Sequence, residues 1–94
     1  MSCYEVKYSK QAIKFMKKNK LVALRFMQAF DDLSNDPKKS EFYDIKKFVT
    51  PKLNNTFRLR IGRYRAIYRI KDNQITIYVF SIGARGDIYK HTNL

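Results

Sequence analysis

Arg58, Arg60, Arg65 and Arg69 fall within one stretch, Thr56 to Gly83, at spacings that put their guanidinium groups on a common surface. From Phe57 to Ile61 apolar residues alternate with Arg58 and Arg60, the period of a strand with one buried face. Gly62-Arg63 reads as a two-residue hairpin turn, with Gly supplying the positive φ such a turn needs. The strand Tyr64 to Lys71 follows, a second turn is expected at Asp72-Asn73, and Gln74 to Gly83 returns. With two-residue loops at both turns, counting sets the register. Ile61 faces Tyr64, Leu59 faces Ala66 and Phe57 faces Tyr68. Across the second hairpin Ile70 faces Ile75, Tyr68 faces Ile77 and Ala66 faces Val79. These residues make the core face. The opposite face carries the four arginines with Ile67, Tyr78 and Phe80. Arg60 and Arg65 are then directly opposed, and like charges there destabilise a sheet, so a bound polyanion is the expected remedy. A solvated arginine strand is the ordinary alternative, since exposed charge is the default. Two adjoining strands sharing one basic face with aromatics favour a phosphate-binding surface.

Composition narrows the partners. The 94 residues carry 20 Lys and Arg against 8 Asp and Glu, a formal charge of +12, which predicts attraction to polyanions and self-repulsion of the isolated protein. Hydrophobic residues make up 45% of the chain, so one domain with a single modest core is expected over residues 1–94. Cys3 is the sole cysteine and favours an intracellular, cytoplasmic setting. No apolar run approaches membrane-span length, and the N-terminus enters strand-like alternation rather than a signal peptide. One histidine, no cysteine pair and scattered acids argue against a metal site, and no cofactor is expected.

The remaining elements must position the basic face. Tyr4 to Tyr8 alternates as a short strand. Ser9 is an N-cap for a helix to about Asn19, with Ala12, Ile13 and Met16 buried and Lys14, Lys17, Lys18 and Lys20 outside. Those lysines read as a solubilising face slightly more readily than as a nucleic-acid contact. Leu21 to Asn35 gives a second helix with Ala23, Phe26, Met27, Phe30 and Leu33 toward the sheet, ended by Asp36-Pro37. Lys38 to Asn55 is irregular, with a short extended or turn segment expected around Asp44 to Phe48. After Gly83 a turn and one helical turn are expected before a frayed tail. The fold class is therefore α+β: an N-terminal strand and a helical hairpin packed on a small, mostly antiparallel sheet, in the order β-α-α-β-β-β.

That order resembles the RelE/ParE superfamily of toxin–antitoxin toxins. The residues carrying the likeness are Asp44-Ile45-Lys46-Lys47, Phe57-Arg58-Leu59-Arg60-Ile61-Gly62, Arg63-Tyr64-Arg65-Ala66-Ile67-Tyr68, Ser81-Ile82-Gly83-Ala84-Arg85 and Ile88-Tyr89. For the RelE branch the resemblance implies a ribosome-dependent endoribonuclease that cuts mRNA in the decoding site, through metal-free attack by the ribose 2′-hydroxyl on the adjacent phosphate. By the same likeness Arg58 and Arg65 match phosphate-stabilising positions. Arg85 matches a leaving-group donor or charge stabiliser, and Tyr89 an aromatic that stacks on the base or acts as general base. Lys46, Lys47, Arg60, Arg69, Tyr78 and Phe80 are the expected RNA contacts, with packing the simpler role for the two aromatics. At two positions the chain departs from the pattern. Thr56 stands where some active members carry lysine, and Ala84 where several carry Lys or His.

The resemblance also implies an acidic antitoxin whose amphipathic helix lies in a groove on this domain. Two other functions compete: a ParE-like inhibitor of DNA gyrase, which needs no catalytic cluster, and an inactive relative that binds ribosomes or RNA without cutting.

Overall fold

The computed structural model describes residues 4–47 and 55–84, with the backbone alone for 37–39. Strand β1 (Glu5–Tyr8) is followed by helices α1 (Lys10–Lys18) and α2 (Lys20–Asn35), a 3₁₀ segment (Pro37–Phe42), β2 (Asp44–Lys47), β3 (Thr56–Ile61), β4 (Tyr64–Lys71), a 3₁₀ turn (Asp72–Gln74) and β5 (Thr76–Ala84). The strands form one sheet in the order β1-β5-β4-β3-β2. Every pairing is antiparallel except β1 with β5, which is parallel. This is the expected α+β architecture. The segment around Asp44 resolves into a true edge strand, and the expected C-terminal helical turn lies outside the described residues.

Helix α1 begins where the sequence places its cap. Ser9 Oγ accepts the Ala12 N–H at 3.1 Å, and the same hydroxyl donates to the Phe80 carbonyl. Gln11 then pairs both ends of its amide with the backbone of Ile82, donating at 3.1 Å and accepting at 3.0 Å. Two α1 side chains thus occupy the edge of β5 beyond the last β1 pairing, satisfying backbone groups that would otherwise be orphaned.

The helices cover one face of the sheet. Phe26, Ala29, Phe30 and Leu33 of α2 and Ala12 of α1 pack on Leu59, Ala66, Tyr68, Ile77, Val79 and Ile82. Phe30 meets Tyr68 edge-on at 5.2 Å, and Tyr68 stacks on Phe57 at 5.6 Å. Each fully buried large side chain contributes about 1.5–3 kcal/mol. Two expected core residues are not in it: Ile13 is 40% and Met27 46% exposed, and Ala29 occupies the inward position beside Phe30.

The first hairpin has the expected register, Ile61 opposite Tyr64 through Phe57 opposite Tyr68. Gly62 has φ +61, and no other residue of that turn has positive φ, the pattern of a type II′ turn. The second hairpin differs. Its loop is a 3₁₀ turn closed by Ile75 in the left-handed region, at φ 50, because Asn73-Gln74 offers no glycine for a primed two-residue turn. Ile70 therefore faces Ile77 and Tyr68 faces Val79, two residues from the counted register. An even slip keeps each residue on its face. A bulge at Phe80 then shifts Ala66 onto Ile82.

Candidate functional site

Alternation along five strands and the bulge together build the face opposite the helices. β3 sets Arg58 and Arg60 two residues apart, and β4 brings Arg65 opposite Arg60 and Arg69 opposite Thr56. β2 places Lys46 opposite Arg58. β5 adds Tyr78 opposite Arg69 and, past the bulge, Ser81 opposite Ile67 and Gly83 opposite Arg65. β1 adds Lys7 beside Tyr78. Without the extra residue at Phe80, Ile82 would point to this face and Gly83 into the core. The bulge is what gives Arg65 a side-chain-free neighbour.

The expected conflict between Arg60 and Arg65 is relieved inside the sheet. Asp44, across from Arg60 on β2, takes the Arg60 Nε at 2.8 Å. Both side chains are about half exposed, so the pair adds at most about 1 kcal/mol. It nevertheless gives Arg60 a counter-charge within the fold. A polyanion is therefore not needed to account for Arg60, contrary to the expectation from register alone.

Arg65 is different. It is 8% exposed, and its buried Nε has no hydrogen-bond partner among the described residues. The guanidinium stays protonated in proteins, and a buried donor without an acceptor costs on the order of 1–3 kcal/mol. A phosphate oxygen supplies that missing acceptor, with the shorter and stronger bond of a charge-assisted pair. Ile67, fully buried, sits next to Arg65's strand position on the same face and belongs to no part of the helix-side core. The surface is thus a partly dry basic face rather than a uniformly solvated one.

At its other end the aromatics contact one another. Tyr78 and Phe80 meet edge-on at 4.9 Å, and Lys71 Nζ lies 5.1 Å from the centre of the Tyr78 ring. Several tyrosines elsewhere hold their protons tightly. Burial pushes Tyr8 up to about 12, the Asp32 carboxylate bonded at 2.5 Å pushes Tyr43 up to about 12, and burial raises Tyr68 further. Tyr4 is raised by its hydrogen bond to Asp72. None of these four is suited to accept a proton near neutral pH.

Of the side chains expected at the site, the structure brings together Arg58, Arg60, Arg65, Arg69, Lys46 and Tyr78, with Phe80 against Tyr78. Lys47 pairs with Phe57 and so lies on the helix side, apart from Lys46. Arg85 and Tyr89 lie outside the described residues. Sequence reasoning did not place Lys7, Asp44, Ser81 or Gly83 at the site. The lone acid of Asp44-Ile45-Lys46-Lys47 was the available signal for Asp44, and the other three depend on the parallel β1 pairing and on the bulge. Among the described residues no three His, Cys, Asp or Glu side chains converge as a metal site, and no helix is long and apolar enough to cross a membrane.

Residues 6–89 match the family described as the ParE toxin of type II toxin–antitoxin systems. Toxin RelG of Mycobacterium tuberculosis is 37% identical over 62 residues, a stretch that spans 66% of this chain and 66% of that relative, just short of two thirds. The archaeal RelE of the RelE–RelB complex from Pyrococcus horikoshii OT3 superposes with a TM-score of 0.74 at 29% identity, over 89% of this chain and 97% of that one. The toxin–antitoxin complex RelBE2 of Mycobacterium tuberculosis gives a TM-score of 0.65 at 29% identity, over 88% and 99%. A mutant of Escherichia coli RelE in the free state gives 0.72 at 16% identity over 95% and 93%, a likeness of fold alone.

Proposed function

The chain belongs to the RelE/ParE superfamily of type II toxin–antitoxin toxins, and from that membership we propose that it is a single-domain, cytoplasmic toxin that cleaves mRNA on the ribosome. The observation that carries this reading is Arg65, a buried cation on an arginine face whose Nε has no partner among the described residues. A surface that only needed solubility would leave such a side chain in water.

The chemistry proposed is transesterification. The ribose 2′-oxygen bonds to the adjacent phosphorus while the bond to the 5′-oxygen breaks, leaving a cyclic phosphate and a 5′-hydroxyl. A base takes the 2′-proton and the departing 5′-oxygen gains one. Arg65 and Arg58 stabilise the charge that builds on the phosphoryl oxygens, which fixed cations do without reorganising. Arg85 in the adjoining segment acts as charge stabiliser or leaving-group donor, and Tyr89 stacks on a base or takes the proton, both by family likeness. Lys46, Arg60 and Arg69 position the backbone. An acidic antitoxin restrains the toxin, a partner supported by the antitoxin complexes among its structural relatives. The exposed Leu24 and Phe42 line one groove with Ile61, Arg25 and the Arg60–Asp44 pair, an apolar floor with a net positive rim for the amphipathic helix of such a partner.

Primer extension on mRNA incubated with purified protein tests the reading. Discrete cuts are expected only when ribosomes are present, with Arg65→Gln slowing cleavage by about 10²–10³. The match to the ParE toxin family favours a second reading, inhibition of DNA gyrase. Intact mRNA together with loss of DNA supercoiling would establish that reading in place of the first.

A further inference from the structure

Charge is distributed along the helical hairpin in an order that folding does not explain. Between Glu5 and Asp31 the sequence contains no acid, while Lys7, Lys10, Lys14, Lys17, Lys18, Lys20 and Arg25 fall in that interval. α2 opens on Lys20 and closes on Asp31, Asp32 and the cap Asp36, the reverse of what its macrodipole favours. On α1 the pairs Lys10–Lys14 and Lys14–Lys18 put like charges one turn apart, which also weakens a helix. Only Lys17 and Lys18, in the last turn of α1, suit the dipole.

The two ends of the hairpin sit at opposite ends of the sheet. At one, Phe15 packs edge-on against Tyr64, the first residue of β4, at 5.6 Å. The α1–α2 tip therefore lies beside the β3–β4 turn, at the level of Arg60 and Arg65. At the other, Tyr4 binds the Ser34 carbonyl at 3.1 Å and Asp72 at 2.7 Å, gathering Glu5, Asp36 and Asp72 with the end of α2. Among the described residues these acids lie with Arg69 and Lys71 at the far end of the sheet, whereas Arg65 lies at the same end as the tip, where the one acid beside it, Asp44, is taken by Arg60.

We propose that the tip of the α1–α2 hairpin, Lys14, Lys17, Lys18 and Lys20, is a second phosphate-contacting surface that holds RNA backbone away from the scissile bond and turns the arginine face toward it. The inference rests on the RNA-cleaving reading above and adds a separate surface to it. Lys17, Lys18 and Lys20 line one shallow concavity of about 380 Å³ with Asn19, Leu21 and Val22. Lys10, Lys14 and Lys18, four residues apart on α1, lie about 6 Å from one another along the axis, a spacing at which each meets a different phosphate. Lysine is a point charge that contacts phosphates without reading sequence, and it is depleted from interfaces between proteins, so RNA fits this tip better than an acidic protein does.

Binding to mRNA-programmed ribosomes over a range of KCl concentrations tests this with the intact protein. The triple variant K17Q/K18Q/K20Q is expected to lower affinity on the order of tenfold and to reduce the slope of log K against log salt by about 2, at roughly 0.7 per single-strand phosphate contact. K17R/K18R/K20R should restore the slope, and D31N, near the far end of α2, should leave it unchanged. Circular dichroism melts confirm that each variant is folded. An unaltered slope in the triple variant, with wild type still binding and cleaving, overturns the inference alone. So does a variant that binds ribosomes normally but loses an acidic protein partner, which would assign the tip to that partner. Wild-type protein that neither binds ribosomes nor cuts mRNA removes the proposed function and this surface with it.

Discussion

Replacing Arg65 by methionine separates its role in folding from its role in chemistry. The aliphatic side chain fills similar space and removes a buried donor that has no acceptor, so stability in urea should rise by about 1–2 kcal/mol with an unchanged m-value. Cleavage should disappear in the same variant. A stability loss instead would mean that Arg65 is held by contacts that matter to the fold. Tyr43 makes the second residue-scale case. Its hydroxyl, pushed up to about 12 by Asp32, is more strongly protonated in the fold than the usual value of 10.0. Its contribution is fully present below pH 10.0, the unfolded value, and is lost as pH rises toward the folded value of about 12. Alkaline melts of Tyr43→Phe should accordingly lose stability over that window less steeply than wild type. At this scale alternation alone revealed Arg58, Arg60, Arg65 and Arg69 as one face. The Asp44 ion pair was hidden, because a short irregular stretch gives no register until its strand partner is known.

Two elements fix the face, and each hangs on a single residue. Gly62 has φ +61 with nothing within 4 Å of a built Cβ, so Gly62→Ala meets backbone strain rather than a clash. A loss of about 1 kcal/mol in thermal melts is expected. Ser9→Ala removes both the α1 cap and a bond to the Phe80 carbonyl at the bulge. It should cost about 1–2 kcal/mol and reduce cleavage as well, since β5 carries Gly83 past Arg65. Both elements were readable from sequence, one from Gly in a two-residue loop and the other from Ser before an apolar helical stripe. The second hairpin was not. Asp72-Asn73 looks like a tight turn, but the loop runs two residues further, to a left-handed Ile75, and no local signal marks a bulge at Phe80 of β5.

For the molecule as a whole, a charge of +12 on 94 residues means that the free protein repels itself. Its melting temperature should climb as KCl is added, because screening relieves that repulsion. It should climb further with a polyanion that binds only the folded form. A melting temperature that falls with salt would show that specific ion pairs, rather than net charge, dominate. The order in which the molecule is assembled follows from a different feature. β1 lies near the start of the chain, yet it pairs with β5, Glu5 beside Thr76 and Tyr8 beside Val79. Its slot in the sheet stays empty until β5 has been made and has left the exit tunnel. A nascent chain stalled after β4 has neither Gly83 nor the bulge, and such distant pairings form late and slowly. The arginine face proposed to act on mRNA is therefore completed only once β5 has been made.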